Sequence, residues 1–361
     1  MKVLHVIYSL QVGGAEKLLV DLLPSFREQG VDADILVFNA QQSIITQLCE
    51  QRNIKVYTLN GSKPYSLQYI YKLIPFIKRY DIIHTHTTPA QYFVAIAKAI
   101  SFSNCKLITT EHSTNNRRRD KFIFKLLDKI VYSFYCRIIC ISEVARQNLV
   151  QHIGSASKVL VVENGVNLSI YSDALACSKE SLGCNKDNCL LVMVGRFCAA
   201  KDQETIIRAL TFLPENIVAI FVGGGENLER CKSLAVDLGV KERTKFLGVR
   251  GDVPNILKCC DIVIMSSFWE GLSLASVEGM ASGKPTVASD VQGLREVVGN
   301  AGILFQQGDY MELSKIITSL INNEDQYKKV AELCAARSSQ YDIRNTALNY
   351  LHTYRMVLQN N

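Results

Sequence analysis

Two glutamates, Glu270 and Glu278, stand eight positions apart in a stretch rich in serine and glycine. The apolar run at 261–265 predicts a buried strand, and Ser273 is suited to cap a helix that begins at Leu274. A second strand and glycine turn follow, so two helix N-termini are expected at one edge of a parallel sheet, where backbone amides attract anions. Carboxylates at an anion site suit a ligand that also carries hydroxyls, as a sugar or a ribose does. The alternative is an ordinary turn with two exposed glutamates.

Two cations upstream have the chemistry of a diphosphate site. Arg196 and Lys201 lie five residues apart in a glycine turn that follows an apolar strand at 190–194. Arginine offers a planar fork to phosphate oxygens, and lysine offers a compact charge. A basic turn taken alone is usually solvated surface. Its combination with Glu270 and Glu278 favours a binding site.

The first half of the chain carries weaker signals. Gly13 and Gly14 form the turn between a first strand and a helix, without the Gly-x-Gly-x-x-Gly spacing of nicotinamide enzymes. His84 and His86 flank one residue at a strand end, where such a pair could bind a metal. No third ligand is evident near them in the sequence, so a structural or acceptor-lining role is favoured. His112 follows another strand, and a lone histidine there is usually a structural hydrogen-bonding group.

Taken together, these motifs resemble those of the retaining GT-B glycosyltransferases of family 4. The resemblance covers nearly the whole chain and is most specific at 195–296. It implies two doubly wound, Rossmann-like α/β domains with parallel sheets, facing a central cleft. The implied domains are 1–170 on the acceptor side and 171–344 on the donor side, with a last helix at about 345–361 that packs back on the first. Alternating strand-like and helical segments along the chain agree with such sheets.

The resemblance also implies roles for single residues. Glu270 would contact hydroxyls of the donor sugar, Glu278 the ribose, and backbone near Val249 the base. His112 would lie near the reacting end of the sugar. The implied catalytic residues are His112, Arg196, Lys201 and Glu270. The implied donor-binding residues are Gly13, Gly14, Arg196, Lys201, Val249, Glu270, Gly271, Leu272, Ser273 and Glu278.

The implied reaction moves a hexose or N-acetylhexosamine from a nucleotide-diphosphate sugar to a hydroxyl of a glycan or lipid-linked acceptor. It would retain the anomeric configuration and need no metal or other cofactor, with a UDP-sugar expected rather than a GDP-sugar. Bacterial surface polysaccharide synthesis is the expected context. Two alternatives remain open: a nucleotide-sugar epimerase of the same fold, and a non-catalytic scaffold that binds sugar nucleotides.

Composition fits two globular domains, since the 361 residues are 48% hydrophobic and 20% charged. All apolar runs are shorter than the roughly 18 residues that a membrane-spanning helix needs, so a cytoplasmic protein is expected. A location at the inner face of the plasma membrane is an alternative. The 12 cysteines are scattered without Cys-x-x-Cys spacing, which indicates reduced thiols.

Charge is distributed unevenly. Residues 1–170 carry 20 Lys and Arg against 12 Asp and Glu, whereas residues 171–361 carry 20 against 22. This asymmetry favours an anionic partner for the first half, either a membrane surface or a phosphate-bearing acceptor, and no nucleic acid is expected.

A basic amphipathic segment adds to this expectation. Arg117, Arg118, Arg119 and Lys121 precede a helix with an apolar stripe. Such a helix can lie on an anionic membrane. Alternatively, its stripe packs on the sheet of its own domain and its charged face stays in solvent. The stripe consists of Phe122, Ile123, Leu126, Leu127 and Ile130.

Overall fold

Strands that alternate with helices build two parallel sheets. The computed structural model describes residues 1–11, 13–61, 63–112 and 122–359. The chain divides into two compact units, Met1–Gly165 with Ile343–Asn361, and Val166–Asp342. The prediction of two doubly wound α/β units is confirmed.

The first unit contains a seven-stranded sheet in the order β3-β2-β1-β4-β5-β6-β7. Its strands are β1 (Lys2–Ile7), β2 (Asp32–Val37), β3 (Val56–Thr58), β4 (Ile82–His86), β5 (Lys106–Glu111), β6 (Arg137–Cys140) and β7 (Val159–Val161). Its first helices are α1 (Gly14–Glu28), α2 (Ile44–Gln51), α3 (Gln68–Ile77), α4 (Ala90–Ser101), α5 (Phe122–Ser133) and α6 (Glu143–Ile153). The order reverses between β1 and β4, and ligands of such sheets bind at the carboxyl ends of the strands beside the reversal.

The second unit contains a six-stranded sheet in the order β10-β9-β8-β11-β12-β13. Its strands are β8 (Cys189–Val194), β9 (Ile217–Val222), β10 (Thr244–Phe246), β11 (Ile262–Met265), β12 (Thr286–Ser289) and β13 (Ile303–Phe305). Its helices are α7 (Leu168–Ser172), α8 (Gln203–Ala209), α9 (Leu228–Asp237), α10 (Val253–Cys259), α11 (Leu274–Ala281), α12 (Arg295–Val298), α13 (Tyr310–Asn322) and α14 (Glu324–Ser338). Here the order reverses between β8 and β11, so the loops after these two neighbouring strands share one edge.

The last helix, α15 (Ile343–Gln359), belongs to the first unit. Tyr350 and Tyr354 on this helix are fully buried, and the Tyr354 ring meets that of Phe26 on α1 at 5.8 Å between centroids. The Tyr354 hydroxyl lies 2.5 Å from Nδ1 of His84. The helix therefore covers the sheet with aromatic rings and closes a buried polar contact.

The unit boundary lies between Gly165 and Val166, five residues before the predicted one. The amide of Val166 donates to the carbonyl of Tyr341 at 2.8 Å, and α7 packs against α10 and α11. These contacts, which are distant in sequence, attach residues 166–170 to the second unit. The polar residues that follow residue 170 in the sequence indicated a linker, but they did not indicate which unit residues 166–170 join.

The apolar stripe of helix α5 faces outward. The alternative in which the stripe packs on the sheet is therefore wrong for the described side chains. Its Asp128 is 2% exposed and contacts Nε2 of His152 at 2.8 Å, with a further hydrogen bond from the Tyr92 hydroxyl. The packed face thus contains a carboxylate, and the stripe faces outward. The exposed members are Ile123 at 65%, Leu126 at 57%, Leu127 at 41% and Ile130 at 53%. Residues 113–121, with the four cations, lie outside the described part of the chain.

Within the described residues, we found no helix with both the length and the apolar content needed to cross a membrane.

We expect Tyr354→Ala to destabilise the first unit by roughly 3–5 kcal/mol, because it removes a fully buried ring and leaves a cavity. The measurement is the urea midpoint followed by far-UV circular dichroism. Leu348→Ala is the control on the same helix, since Leu348 is 50% exposed and should cost under about 0.5 kcal/mol. Equal midpoints for the two variants would contradict the packing described for α15.

Candidate functional site

Two loops meet at the carboxyl edge of the second sheet because glycines let their backbones touch. A Cβ at Gly223, where φ is +142°, would lie 2.1 Å from the carbonyl oxygen of Gly195. A Cβ at Gly225, where φ is +150°, would lie 2.3 Å from that of Phe197. Only glycine fits such positions. The three-glycine run after β9 thus supports the loop after β8, which carries both predicted cations.

Lys201 and Glu270 form an ion pair at this edge. Lys201 Nζ lies 2.5 Å from Glu270 Oε1, and the two side chains are 20% and 11% exposed. Ser267 Oγ donates to the same carboxylate oxygen at 2.7 Å. The amide of Phe268 donates to the carbonyl of Ala200 at 2.8 Å, which joins the loops after β8 and β11. The structure thus brings together two of the predicted catalytic residues.

The second oxygen of Glu270 remains open. Oε2 accepts no hydrogen bond from the residues that the structure describes, and it is not among the buried atoms that lack a partner, so solvent reaches it. A third loop supports this glutamate at Gly293, where φ is +86° and a Cβ would lie 2.6 Å from the carbonyl oxygen of Glu270. A carboxylate held through one oxygen can accept hydrogen bonds from ligand hydroxyls through the other.

Helix α11 begins where the sequence predicted. Ser273 is its N-cap and accepts from the amide of Ser276 at 3.4 Å. In the described part of the chain, the amides of Gly271, Leu272 and Ser273 are recorded with no acceptor. Free amides at a helix N-terminus attract negative charge. Glu278 lies in the second turn of this helix and is 7% exposed.

Arg196 is bound differently from Lys201. Its Nη2 lies 2.9 Å from Oε2 of Glu226, and these side chains are 71% and 57% exposed. Each cation of the predicted diphosphate site therefore has its own carboxylate. Sequence reasoning missed this role of Glu226, because nothing in the order of residues indicates that the loop after β9 lies against the loop after β8.

Val249 lies beside the glycine run and is 51% exposed, and a Cβ at Gly224 would contact its Cγ2 at 3.6 Å. The neighbouring Arg250 is bound to Asp252 at 2.6 Å. The predicted base-contacting residue therefore belongs to the same group of loops.

In the first unit, Gly13 and Gly14 stand at the start of α1. A Cβ at Gly13 would lie 2.3 Å from Oε2 of Glu16, so glycine makes room for that carboxylate. His112 follows β5, and its Nε2 lies 2.9 Å from Nδ1 of His86. His112 is partly exposed, yet its Nδ1 is buried and without a recorded partner.

The structure brings a third histidine to His84 and His86, which was not evident in the sequence. His5 on β1 pairs in register with His84 on β4, and one ring nitrogen from each of the three histidines lies within 4.8 Å of the others. The sequence hid this cluster because its members come from strands about 80 residues apart. A tetrahedral zinc site would hold its nitrogens roughly 3.3 Å apart. Instead His5 Nδ1 and His86 Nε2 are 2.9 Å apart, as hydrogen-bonded atoms are.

Both nitrogens of His84 are also engaged, one with the hydroxyl of Tyr354 and one with Thr110 Oγ1 at 2.8 Å. One Asp-x-Asp sequence, whose paired carboxylates could bind a metal ion, occurs at Asp32 and Asp34. It lies on β2, and Asp34 accepts from the Tyr80 hydroxyl at 2.5 Å. Both aspartates stand at the start of this strand, at the amino-terminal edge of the first sheet.

Two family models match the chain. The model described as Glycosyl transferases group 1 matches residues 177–335, and the one described as Glycosyltransferase Family 4 matches residues 12–170. The chain is a GT-B glycosyltransferase of family 4.

Several proteins are similar to this glycosyltransferase over much of their length. A UDP-Gal:alpha-D-GlcNAc-diphosphoundecaprenol alpha-1,3-galactosyltransferase of Escherichia coli is 27% identical over 352 residues, which cover 90% of this chain and 88% of that protein. An N,N'-diacetylbacillosaminyl-diphospho-undecaprenol alpha-1,3-N-acetylgalactosaminyltransferase of Campylobacter jejuni is 27% identical over 66% of this chain and 65% of its own. The structure of Anabaena HepE in complex with UDP and glucose superposes with a TM-score of 0.85 at 26% identity, covering 98% and 99% of the two chains.

One titratable group next to Lys201 permits a test by pH. Burial raises the pKa of Asp202 to about 6. The folded state therefore holds a proton that the unfolded chain releases, so this carboxyl destabilises the protein above pH 6 and less as pH falls toward 4. We expect Asp202→Asn to raise Tm by about 2–4 °C at pH 7.5, corresponding to about 1 kcal/mol after allowing for solvent screening, and by less at pH 5.

Asparagine tolerates the left-handed conformation of residue 202, where φ is +48°. Asp187→Asn, at an exposed site, is the control and should show no pH-dependent gain. A gain for Asp202→Asn that is the same at both pH values would contradict this account.

Proposed function

We propose that this glycosyltransferase moves a hexose or N-acetylhexosamine from a UDP-sugar to a hydroxyl of a lipid-linked saccharide, with retention of anomeric configuration and without a metal. The observation that supports binding of the nucleotide-sugar donor is the Lys201–Glu270 ion pair, which lies at a sheet edge beside free backbone amides. One small region offers a cation for phosphate, an open carboxylate oxygen for hydroxyls and donors for an oxyanion.

The diphosphate is proposed to bind to Lys201, Arg196 and the amides before α11. Lys201 has three N–H donors and uses one of them on Glu270, so others can reach phosphate oxygens. Arg196 must exchange Glu226 for phosphate, which costs little because an exposed ion pair contributes only about 0–1 kcal/mol. These groups stabilise the charge that builds on the leaving diphosphate, so the proposed mechanism assigns no step to a metal.

The sugar and the ribose are proposed to bind to the two glutamates. Oε2 of Glu270 is open to accept from sugar hydroxyls, while Lys201 and Ser267 hold Oε1 in place. By the family resemblance, Glu278 takes the ribose and Val249 lies near the base. The half-exposed Val249 at the glycine run supports the second assignment.

Retention is proposed to follow from attack on the face from which the diphosphate leaves. The bond from the anomeric carbon to the phosphate oxygen breaks, and the bond to the acceptor oxygen forms on the same side. The acceptor's proton passes to the leaving phosphate, so no protein nucleophile is needed. His112 takes the role that the family resemblance assigns to it, at the reacting end of the sugar.

The choice of uridine and of a lipid-linked acceptor rests on relatives. The E. coli relative is named for UDP-Gal and a diphosphoundecaprenol acceptor, the Campylobacter relative for a diphospho-undecaprenol acceptor, and Anabaena HepE was solved with UDP. We propose the same classes of donor and acceptor here, in surface polysaccharide synthesis.

The test of the donor site compares two arginines. We expect Arg196→Ala to reduce transfer by about a hundredfold and to weaken the thermal stabilisation by UDP, both measured with EDTA present. Arg230→Ala is the matched control, since Arg230 also forms an ion pair, with Glu204, and is also 71% exposed. It should leave transfer and the UDP response unchanged.

Wild-type transfer in Arg196→Ala would contradict the diphosphate assignment. Loss of wild-type transfer in EDTA, restored by a divalent cation, would contradict the metal-free mechanism. Turnover of the UDP-sugar at full rate without any acceptor would favour the epimerase instead.

The acceptor's lipid suggests contact with a membrane, and α5 offers a surface for it. Four apolar side chains of this helix face outward, while its buried face holds Asp128. Lys125 and Lys129 lie on the same helix, and Lys129 is exposed. Outward apolar groups accompanied by cations fit an anionic lipid surface. We therefore propose peripheral contact at the inner face of the plasma membrane.

We expect replacement of Ile123, Leu126 and Ile130 by serine to reduce co-sedimentation with phosphatidylglycerol vesicles by at least about tenfold, because three apolar side chains no longer enter the lipid. Raising the salt concentration should weaken wild-type binding as well.

The control replaces three exposed apolar residues of the second unit, Leu175, Val236 and Leu333, by serine. This triple variant should bind vesicles as the wild type does. Equal losses in both triple variants, or unchanged binding in the α5 variant, would contradict contact through α5.

A further inference from the structure

Three histidines of the first unit form a hydrogen-bonded row across its sheet. His5 Nδ1 lies 2.9 Å from His86 Nε2, and His86 Nδ1 lies 2.9 Å from His112 Nε2. The row ends in two buried nitrogens without recorded partners, His5 Nε2 and His112 Nδ1. Each contact joins two ring nitrogens, so each must hold one hydrogen atom between them.

All three rings are neutral near pH 7. Burial lowers the pKa of His5 to about 3 and that of His112 to about 4, and it lowers the pKa of His86 well below its usual value. A neutral imidazole carries one N–H and one bare nitrogen. His86, in the middle, must therefore donate to one neighbour and accept from the other.

Only two arrangements of protons satisfy both contacts. In the first, every ring is protonated at Nδ1: His5 donates to His86, His86 donates to His112, and His112 keeps an N–H at its outer nitrogen. In the second, every ring is protonated at Nε2, the bonds run in the other direction, and the N–H without a partner is at Nε2 of His5. The tautomers of His5 and His112 are thus coupled through His86.

The surroundings of the two ends favour the first arrangement. His5 is 0% exposed and stacks on Phe26 with 5.8 Å between ring centroids, so an N–H at its Nε2 would be buried beside an aromatic ring without an acceptor. A buried N–H without a partner is rarer in proteins than an under-used acceptor. His112 is partly exposed as a residue, although its Nδ1 is buried without a recorded partner. The family resemblance places His112 at the donor sugar, so a bound ligand can supply the acceptor that an N–H at Nδ1 lacks.

His84 does not interrupt the row. Its ring stacks on that of His86 at 4.4 Å between centroids, but its nitrogens bond to Tyr354 and Thr110. It restrains the position of the His86 ring and leaves both of the ring's nitrogens for His5 and His112.

We propose that His5 and His86 are positioning residues that hold His112 in its Nδ1–H tautomer, so that His112 offers a hydrogen-bond donor. The role at the donor sugar rests on the proposed function. In that role His112 donates to an oxygen of the ligand at Nδ1 and does not take a proton there. Neither His5 nor His86 needs to touch a substrate for this effect.

The tautomers can be read by long-range ¹H–¹⁵N correlation spectra of ¹⁵N-histidine-labelled protein without any ligand. We expect the wild type to show His112 and His86 each with a protonated Nδ1 and a bare Nε2, with His112 assigned from the spectrum of His112→Asn. In His5→Phe the bond that sets the direction is lost, so His86 and His112 should shift toward a mixture containing the Nε2–H form.

His5→Asn retains a polar group beside His86 Nε2 and should return His86 and His112 to a single tautomer each. His352→Asn, at an exposed site of the same unit, is the control and should leave the signals of His86 and His112 unchanged. A wild-type His112 protonated at Nε2, or a His112 signal unaffected by His5→Phe in a folded protein, would overturn the proposal. Because no donor is present, this result is independent of whether the chain transfers a sugar.

Discussion

The ion pair between Lys201 and Glu270 is the contact on which the proposed donor site depends. It joins loops from two strands that are neighbours in the sheet, and it leaves Glu270 Oε2 open. A largely buried pair of this kind is weak evidence for stability, since removing both charges from water offsets much of their attraction. What it provides is geometry: a carboxylate and an ammonium group are held at fixed positions before any ligand arrives, and preorganised charge of this kind stabilises a transition state.

The position of this pair could be predicted, but its contact could not. Spacing in the sequence placed Lys201 and Glu270 after buried strands and located the cap at Ser273, because strand–glycine–helix corners have strong local signals. The partner of Arg196 and the glycine contacts under the loop depend on which strands are neighbours. That order is set by packing of whole elements, which no local pattern records.

The histidine row shows the same limit in a buried setting. His84 and His86 were visible as a pair, whereas His5 is a single residue in an apolar run and gave no signal of its own. Parallel pairing of β1 with β4 places it beside them. Neutral imidazoles can be buried in such a core at low cost, because each has one donor and one acceptor. They can therefore form hydrogen bonds with their neighbours without burying a charge.

Helix α5 shows why an apolar stripe does not by itself determine which face is buried. The stripe predicts packing on the sheet only if burial of its side chains outweighs the alternatives. Here the inward face carries Asp128, which is held by His152 and Tyr92. Turning the helix would bury the stripe, but it would break these contacts and leave a buried His152 without its carboxylate, and a buried polar group without a partner costs about 1–3 kcal/mol. The aliphatic groups of the stripe therefore remain outside, and one buried acid determines which face of α5 is exposed.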